Sequence, residues 1–557
     1  QNLYRMTYII TAQEASGLFR LPIGTKRISA GLPINESSSG KKNYASGLIN
    51  TGHIMLGALK STGKDILGIS LNDLKKHMLV AGTPGSGKTT FLVGLLDQLW
   101  KKYHIPFLVI EPAKNEYRAL IDSIPDLQVF TPGKNTISPF VLNPFVPPKN
   151  VKLEAYKSTL KTAFAAAVTM STPLDKIFED AIWICYSEFY WLDTYTTDDK
   201  GRIFNISDFV KCFISTFNKI GYTGDAANIG RAGIVRLSSL KNLFDNYFSI
   251  PIEDLIQKPT VIELSAIEDS DEKSLIIALL LLSILAYVNA NYLGEGDLRN
   301  FILLEEAHVL LDAEVVANSS DANPNAIAQN LIKRMLAEIR SYGVGIAIAD
   351  QSPRRVGADV VAMTDMKIAF RLVEAKDKQI VADSMNMSDE QKERLARLKP
   401  GEAFTFFSRL DEPEEIYATD YREENAINIT ISDNQLQELT SYWDDKQQHL
   451  RPYPECTIIE YCKNSCDYQR RILAREVARR LFSHYLDEKM TDKKDIQVVF
   501  ATIIDKIKKE LNGEPLSAEL VSCIKCHLWR DIKYKTAIPI SESEIEASLK
   551  KDNKRRA

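Results

Sequence analysis

Residues 82–89 read Gly-Thr-Pro-Gly-Ser-Gly-Lys-Thr, which is the composition of a loop that cradles phosphate groups. Glycines let the backbone curl so that successive N–H groups point at one anion. An apolar run, Met78–Ala81, precedes this loop, and a helical pattern follows it, so a helix dipole also favours an anion here. This strand–loop–helix context predicts a nucleotide-binding P-loop. The predicted phosphate-binding residues are Gly82, Pro84, Gly85, Ser86, Gly87, Lys88, Thr89 and Thr90.

A pair of carboxylates follows the apolar run Phe301–Leu304, whose composition predicts a buried strand. Two adjacent acidic side chains at such a strand end are costly to bury unless a cation lies nearby. We therefore predict that Glu305 and the Thr89 hydroxyl hold Mg²⁺, and that Lys88 contacts the β- and γ-phosphates of ATP. Glu306 is placed to act as the general base that polarises the attacking water. The alternative is an ordinary exposed strand end.

Together, three stretches of the chain resemble the HerA/FtsK branch of P-loop ATPases, and within it the HerA-like proteins. They are Gly82–Thr89, Ile110–Tyr117 and Leu303–His308, and the resemblance covers about residues 65–420. The resemblance implies a homo-hexameric ring that moves double-stranded DNA through a central pore, often beside a nuclease or another effector protein. The family's N-terminal β-barrel is not recognisable in residues 1–70.

The resemblance also implies roles for residues outside the P-loop and the acidic pair. Glu111 matches an acidic residue near the metal, and Gln351 matches a polar sensor of the γ-phosphate. Arg340 matches the arginine that such proteins offer to the neighbouring subunit's nucleotide, with Arg334 and Arg371 as further candidates. An arginine in that role is worth ~10³-fold or more in rate. The alternatives are a loop amide for Gln351 and a surface arginine for Arg340.

Residues that contact DNA are harder to predict from the sequence. The net charge is −4, so a basic footprint over the whole surface is excluded, and contact has to come from a local patch or the inside of a ring. Two loops at residues 352–356 and 363–367 and the basic tail at residues 550–556 are the candidates. Ordinary solvated loops and a solvated tail are the alternatives.

Strand and helix patterns alternate from about residue 71 to 420, and several strands are continuous apolar runs. Such runs are typical of a parallel sheet covered on both faces, so we predict an α/β fold with a RecA-like P-loop ATPase core. Residues 152–246 predict a helical insertion whose aromatic side chains fill its core. Residues 1–70 resemble the tail of a preceding domain, and residues 421–557 form a predicted helical C-terminal region. The predicted strands are Met78–Ala81, Pro106–Glu111, Gln128–Thr131, Thr260–Ser265, Phe301–Glu305, Val344–Ala349, Lys367–Leu372 and Ala403–Ser408.

Five of the seven cysteines lie in the C-terminal region. Cys462 and Cys466 are separated by three residues, and Cys523 and Cys526 by two, which are spacings found in zinc sites. We predict that these four thiolates hold a structural Zn²⁺. Free thiols are the alternative.

The composition, 45% apolar and 25% charged over 557 residues, allows a sizeable core. The longest apolar stretch, Leu275–Val288, is shorter than the ~20 residues that a membrane span needs, so a buried helix is expected. No signal peptide is visible, and the sparse cysteines favour a reducing, cytoplasmic setting.

These observations predict an ATP-driven ring motor that translocates or unwinds double-stranded DNA. It would work with a nuclease or another effector, in antiviral (anti-phage) defence or DNA end processing. Two alternatives share the same core. One is a type IV secretion or conjugation ATPase, and the other is a nucleotide-gated scaffold that assembles an effector.

Overall fold

A mixed sheet of eleven strands forms the centre of the computed structural model. All contacts given below lie within the unit Ser46–Ala557. The structure describes residues 44, 47–167, 172–189, 191–198, 203–294, 296–312, 324–420, 431–444, 446, 468–486, 493–511, 513 and 515–536. The strands are β1 (Ile54–Leu59), β2 (Ile66–Ile69), β3 (Met78–Ala81), β4 (Phe107–Glu111), β5 (Gln128–Phe130), β6 (Thr260–Glu263), β7 (Asn300–Glu305), β8 (Val344–Asp350), β9 (Met366–Ala369), β10 (Glu402–Phe406) and β11 (Glu414–Ala418).

The strands lie in the spatial order β2-β1-β11-β10-β9-β3-β8-β7-β4-β6-β5. Neighbours from β9 to β5 pair in parallel, whereas those from β2 to β9 pair antiparallel. Strands β3, β4, β6, β7, β8 and β9 are buried along their whole length, as parallel strands covered on both faces should be. The predicted α/β fold with a mainly parallel sheet is confirmed.

The antiparallel edge of the sheet corrects one predicted boundary. β1 pairs with β11 over residues 57–59 and 416–418, and β2 pairs with β1. Residues 54–69 are therefore part of the central sheet, and the predicted division at residue 70 is wrong for them. Residues 1–43 lie outside the described part of the chain. The strand β11 has no counterpart among the predicted strands, because its short, charged segment lacks a continuous apolar run.

Helices cover the sheet and form two further regions. They are α1 (Leu71–Leu74), α2 (Lys88–Tyr103), α3 (Leu153–Ala167), α4 (Leu174–Glu188), α5 (Ile206–Ile220), α6 (Asp225–Ser239), α7 (Lys241–Phe244), α8 (Ile252–Ile256), α9 (Ser270–Asn291), α10 (His308–Leu311), α11 (Pro324–Glu338), α12 (Pro353–Val356), α13 (Ala358–Met363), α14 (Ala375–Ser384), α15 (Asp389–Leu395), α16 (Asp433–Leu439), α17 (Tyr468–Tyr485), α18 (Lys493–Ala501), α19 (Ile503–Glu510) and α20 (Ala518–Lys535). Two 3₁₀ helices occupy Tyr117–Asp122 and Ile339–Tyr342.

The residues predicted as a helical insertion contain α3 to α7. Their aromatic side chains pack on one another: the ring centroids of Phe178 and Phe209 are 5.3 Å apart, and those of Phe164 and Phe178 are 4.9 Å apart. Trp191 is buried in the same apolar cluster. These rings therefore fill a core, and this is the role that the sequence predicts for them.

Helix α9 is longer than the apolar stretch that marks it in the sequence. Its 22 residues make it the one helix in the described part of the chain that is long and apolar enough to cross a membrane. However, 72% of its most apolar window is buried inside the protein. The helix extends beyond Leu275–Val288 because polar residues continue it at both ends, and it serves as a core helix.

The C-terminal helices α17 to α20 share an apolar cluster of their own. Arg475 and Arg479 of α17 both pair with the buried carboxylate of Asp245, which follows α7. Ion pairs thus hold the C-terminal helices against the helical insertion.

Candidate active site

The carboxyl ends of four parallel strands collect most of the predicted site residues. The P-loop follows β3, Glu111 ends β4, Glu305 ends β7 and Gln351 follows β8. Because parallel strands end at the same edge of a sheet, residues far apart in sequence meet there. The register places Ala81 of β3 opposite Asp350 of β8.

The P-loop has the backbone geometry that its glycines allow. Gly85 and Gly87 have φ angles of +72° and +111°, in the left-handed region that other residues rarely adopt. Gly87 caps α2, so the loop leads directly into a helix N-terminus. A Cβ atom at Gly82 would lie 2.6 Å from the Cβ atom of Phe370, so only glycine fits this position.

Lys88 is almost wholly buried beside the loop. Its ammonium group donates to the carbonyl oxygens of Gly82 and Thr83. Burial lowers the pKa of Lys88, while the carboxylates of Glu305 and Glu306 oppose that shift. A buried ammonium held by loop carbonyls is well placed to bind a phosphate group.

Glu305 lies at the end of β7 and is 7% exposed. Its Oε1 atom accepts a hydrogen bond from the hydroxyl of Tyr117, which is fully buried. Burial raises the pKa of Glu305 to about 7, although Tyr117 and Lys88 favour the charged form. The carboxylate is therefore held in one orientation at a place where a nearby cation would stabilise its charge.

Glu111 is the second buried acid of this edge. The backbone N–H of Glu116 donates to its Oε1 atom at 2.8 Å, and that of Tyr117 lies 3.5 Å from its Oε2 atom. Burial raises the pKa of Glu111 to about 8, and the charges of Glu263 and Glu305 add to the shift.

Glu306 combines an unusual backbone with an incompletely paired side chain. Its φ angle is +45°, a strained value for a residue with a side chain. Gln351 donates through Nε2 to Oε1 of Glu306, whereas Oε2 is buried and accepts no hydrogen bond from the described residues. A buried carboxylate oxygen left open beside the P-loop suits a base that takes a proton from water.

His308 and Asp350 support this carboxylate from the other side. Nδ1 of His308 lies 3.0 Å from Oδ2 of Asp350 and 3.4 Å from Oε2 of Glu306. Asp350 is fully buried, and its hydrogen bond raises the pKa of His308. Glu306, His308 and Asp350 also form the one described group of three whose atoms could hold a metal ion. Backbone N–H groups of His308 and Ser352 occupy both oxygens of Asp350, which favours a hydrogen-bonded support.

The residues fit a magnesium–nucleotide complex. Lys88 and the P-loop backbone would bind the phosphates, and Glu305 and Thr89 are the residues that would hold Mg²⁺. Three buried carboxylates with raised pKa values or an unpaired oxygen are the donor set that a hard cation requires. When bound, Mg²⁺ would neutralise phosphate charge.

The three predicted arginines do not all lie at this edge of the sheet. Arg340 is exposed in the 3₁₀ helix before β8, at the opposite end of a seven-residue strand that spans about 20 Å. Arg334 is exposed and pairs with Glu338 at 2.7 Å. Arg371 follows β9, and its carbonyl accepts from the Thr83 N–H at 2.9 Å, so it lies beside the P-loop of its own chain.

The predicted DNA loops contain fewer available basic groups than expected. Arg354 pairs with Glu374 at 3.1 Å, and Arg355 pairs with Asp312 at 2.6 Å. Lys367 belongs to β9, is buried, and donates to the carbonyl of Thr364. The burial of Lys367 leaves the 363–367 loop without an exposed basic side chain, and DNA contact by the two loops stays a prediction. The basic tail lies outside the described residues.

The predicted zinc ligands are only partly described. Cys462 and Cys466 lie outside the described residues. Cys523 and Cys526 are buried in α20, and neither forms a disulfide with a described residue. Cys523 belongs to the apolar cluster of the C-terminal helices. Nothing in the described part of the chain supports a zinc site.

Sequence reasoning gave no role to Tyr117, His308, Asp350 or Arg118. Tyr117 and His308 close two of the stretches that carry the family resemblance, so their positions were a signal that could have been used. Asp350 directly precedes Gln351, which the resemblance singles out, so its position could have been used in the same way. Arg118 binds groups more than a hundred residues away, and no local pattern marks it.

Comparison with known proteins agrees with this geometry. Residues 54–284 match the family model of the helicase HerA central domain. The DNA double-strand break repair helicase HerA of Sulfolobus acidocaldarius is 23% identical over 395 residues, covering 67% of this chain and 70% of that protein. Its counterpart in Sulfurisphaera tokodaii is 32% identical over 152 residues, covering 27% of this chain and 29% of that protein.

Among solved structures, VirB4 of Thermoanaerobacter pseudethanolicus is similar in fold. Its TM-score is 0.53 at 16% sequence identity, and the match covers 67% of this chain and 98% of VirB4. At this identity the likeness shows the fold alone. The central-domain match, the relatives and the site geometry agree, and the chain is similar to P-loop ATPases of the HerA/FtsK type.

Proposed function

We propose that this protein is a Mg²⁺-dependent ATPase that works as a homo-hexameric ring motor on double-stranded DNA. The observation that carries the proposal is the placement of Glu306. Its buried Oε2 atom accepts no hydrogen bond from the described residues and lies at the same sheet edge as the P-loop, 3.4 Å from Nδ1 of His308. Gln351 donates to the other oxygen, Oε1. In this scheme Lys88 binds the phosphates, Glu305 and Thr89 hold Mg²⁺, and Glu306 takes the proton of the attacking water.

The names of the relatives support DNA as the substrate. Proteins called DNA double-strand break repair helicases align with two thirds of this chain in one comparison. Arg340 is exposed and lies at the opposite end of β8 from its own P-loop, so a role for it at a nucleotide requires a neighbouring subunit, as in a ring. A nuclease or another effector partner, antiviral defence and a cytoplasmic location complete the proposal.

The test is the steady-state ATPase rate with double-stranded DNA, single-stranded DNA and no DNA, with Glu306→Gln as the blank. The proposal predicts that double-stranded DNA stimulates hydrolysis most strongly. A rate that ignores both nucleic acids would overturn the DNA motor and favour a nucleotide-gated scaffold or a secretion-type ATPase. The fold likeness to VirB4 does not itself favour the secretion alternative.

The zinc site is a separate part of the proposal. Purified protein should contain close to one zinc per chain if Cys462, Cys466, Cys523 and Cys526 bind it, because a structural site is nearly full. Less than about a tenth of an equivalent in metal analysis would overturn it.

A further inference from the structure

One turn contacts two of the buried acids of the site, Glu111 and Glu305. After β4, the backbone N–H groups of Glu116 and Tyr117 contact the carboxylate of Glu111, at 2.8 and 3.5 Å. The Tyr117 hydroxyl then reaches across to Glu305. The orientation of Glu305 therefore depends on the position of the 3₁₀ helix that begins at Tyr117.

The next residue, Arg118, points away from the site and is buried as well. Its guanidinium forms a two-pronged pair with Glu263, with Nε donating to Oε1 at 2.7 Å. Its remaining terminal nitrogen, Nη1, donates to the Ile431 carbonyl at 3.1 Å and to Oδ1 of Asp433 at 2.8 Å. These hydrogen bonds hold the planar guanidinium in one position relative to its partners.

Ile431 and Asp433 belong to a segment that we call the C-terminal strap, residues 431–444 and 446. Asp433 also pairs with Lys134 at 2.8 Å. At the far end of the strap, the Tyr442 hydroxyl donates to Asp254 at 2.8 Å and Nε1 of Trp443 donates to the Pro139 carbonyl at 3.0 Å. The strap is thus fixed at both ends.

We propose that the C-terminal strap positions the hydrolysis machinery: through Arg118 it fixes the turn whose Tyr117 hydroxyl aligns Glu305. Tyr117 is then a positioning residue, since it acts through Glu305. The inference rests on the proposed ATPase function. It makes turnover, and not nucleotide binding, depend on a segment that follows the ATPase core in the chain. The physical basis is a continuous path of contacts and chain neighbours from the strap through Arg118 and Tyr117 to Glu305.

Two small substitutions test the two ends of this chain of contacts. Tyr117→Phe removes the hydroxyl and keeps the buried ring. Asp433→Ala removes one partner of Arg118, and the side chain of Asp433 is 38% exposed, so the fold should tolerate it. The matched control is Lys446→Ala, which breaks an ion pair of the same strap with Asp254 at 3.1 Å and does not touch Arg118.

Each test variant should lower kcat by about 10- to 100-fold, as misplacing a catalytic group does. KM for ATP and the nucleotide Kd should stay within about twofold of wild type, because the P-loop is untouched. The double variant should be no slower than the slower single variant, since both act through Glu305. Asp433→Glu should restore part of the rate, and Lys446→Ala should match wild type.

Wild-type protein measured in parallel separates the two levels of the proposal. A wild type without ATPase activity would overturn the proposed function. If wild type is active and both Asp433→Ala and Tyr117→Phe hydrolyse ATP at the wild-type rate, the positioning role alone is overturned. Additive losses in the double variant would also overturn it. A third result would also overturn it: Asp433→Ala and Lys446→Ala lose ATPase activity to the same extent, and their melting temperatures fall equally.

Discussion

The two ends of the parallel strands treat buried ionisable groups differently. At the carboxyl end, burial raises the pKa of Glu305 to about 7 and that of Glu111 to about 8. Lys88 is buried beside them, and one oxygen of Glu306 accepts no hydrogen bond from the described residues. Hydrogen bonds hold these side chains in place, but the protein does not fully compensate their charges.

At the amino end, buried groups are paired within the protein. Nε2 of His77 donates to the Leu336 carbonyl at 2.8 Å, and Nδ1 accepts from the Ile346 N–H at 3.1 Å. Burial lowers the pKa of His77 to about 4, so the ring is neutral. Lys367 donates to the Thr364 carbonyl. Burial of ionisable groups is therefore common to both ends of the strands. Incomplete pairing of such a group occurs at the carboxyl end, where the candidate active site lies.

The largest effect is expected at the carboxyl end. Lys88→Ala should reduce ATP turnover by about 10³-fold or more, since it removes the buried charge that faces the phosphates. The matched control is Lys114→Ala, because the Lys114 side chain is close to Lys88 and 49% exposed. Steady-state ATPase assays measure both. Equal ATPase rates in the two variants would contradict the idea that the buried charge of Lys88 matters more than the exposed charge of Lys114.

Arg340 tests whether the amino end of one chain completes the carboxyl end of another. Arg340→Ala should lower turnover by about 10³-fold without changing nucleotide affinity. Arg334→Ala is the control, as that side chain is 64% exposed and paired with Glu338. Mixing Arg340→Ala with Lys88→Ala subunits should restore activity, because some sites then contain both residues. Two results would each contradict a role in trans. One is a wild-type ATPase rate for Arg340→Ala alone, and the other is no restoration of activity in the mixture.

His77 tests the amino end itself. Its pKa is lower in the folded protein than the ordinary 6.5, so its stabilisation is present above pH 6.5 and is lost as the pH falls towards 4. The difference corresponds to about 3 kcal/mol of folding free energy over that window. His77→Asn, which suits the φ angle of +67°, should show a correspondingly smaller fall between pH 7 and 4.5. Urea denaturation at several pH values measures this, and identical pH slopes would contradict it.

Local patterns predict much of this molecule. The P-loop and the acidic pair follow continuous apolar strands, and strands of that kind end at one edge, so Lys88, Glu305 and Gln351 were placed correctly relative to the sheet. Glu306 shows the limit of such reasoning. Its position after β7 follows from the sequence, whereas its φ angle and its contacts with Gln351 and His308 depend on neighbouring strands.

Long-range pairing explains what the sequence could not predict. Asp433 lies 315 residues beyond Arg118, and no periodicity links them. Strands β1 and β11 pair with each other although they lie near opposite ends of the described sheet sequence, and no local pattern links them. Lys367 begins a predicted strand, but the sequence does not show that its charged side chain is buried. The pairing of β9 with β3 shows this.

The most direct test of the account is a single-turnover comparison of wild type and Glu306→Gln with ATP and Mg²⁺, together with the nucleotide Kd of each. Glutamine keeps the size of the side chain and the contact with Gln351, but it cannot take a proton from water. The account predicts equal nucleotide binding and a loss of hydrolysis of at least about 10²-fold, the lower bound for removal of a general base. Hydrolysis by Glu306→Gln at the wild-type rate would contradict the assignment of this sheet edge as the hydrolysis site.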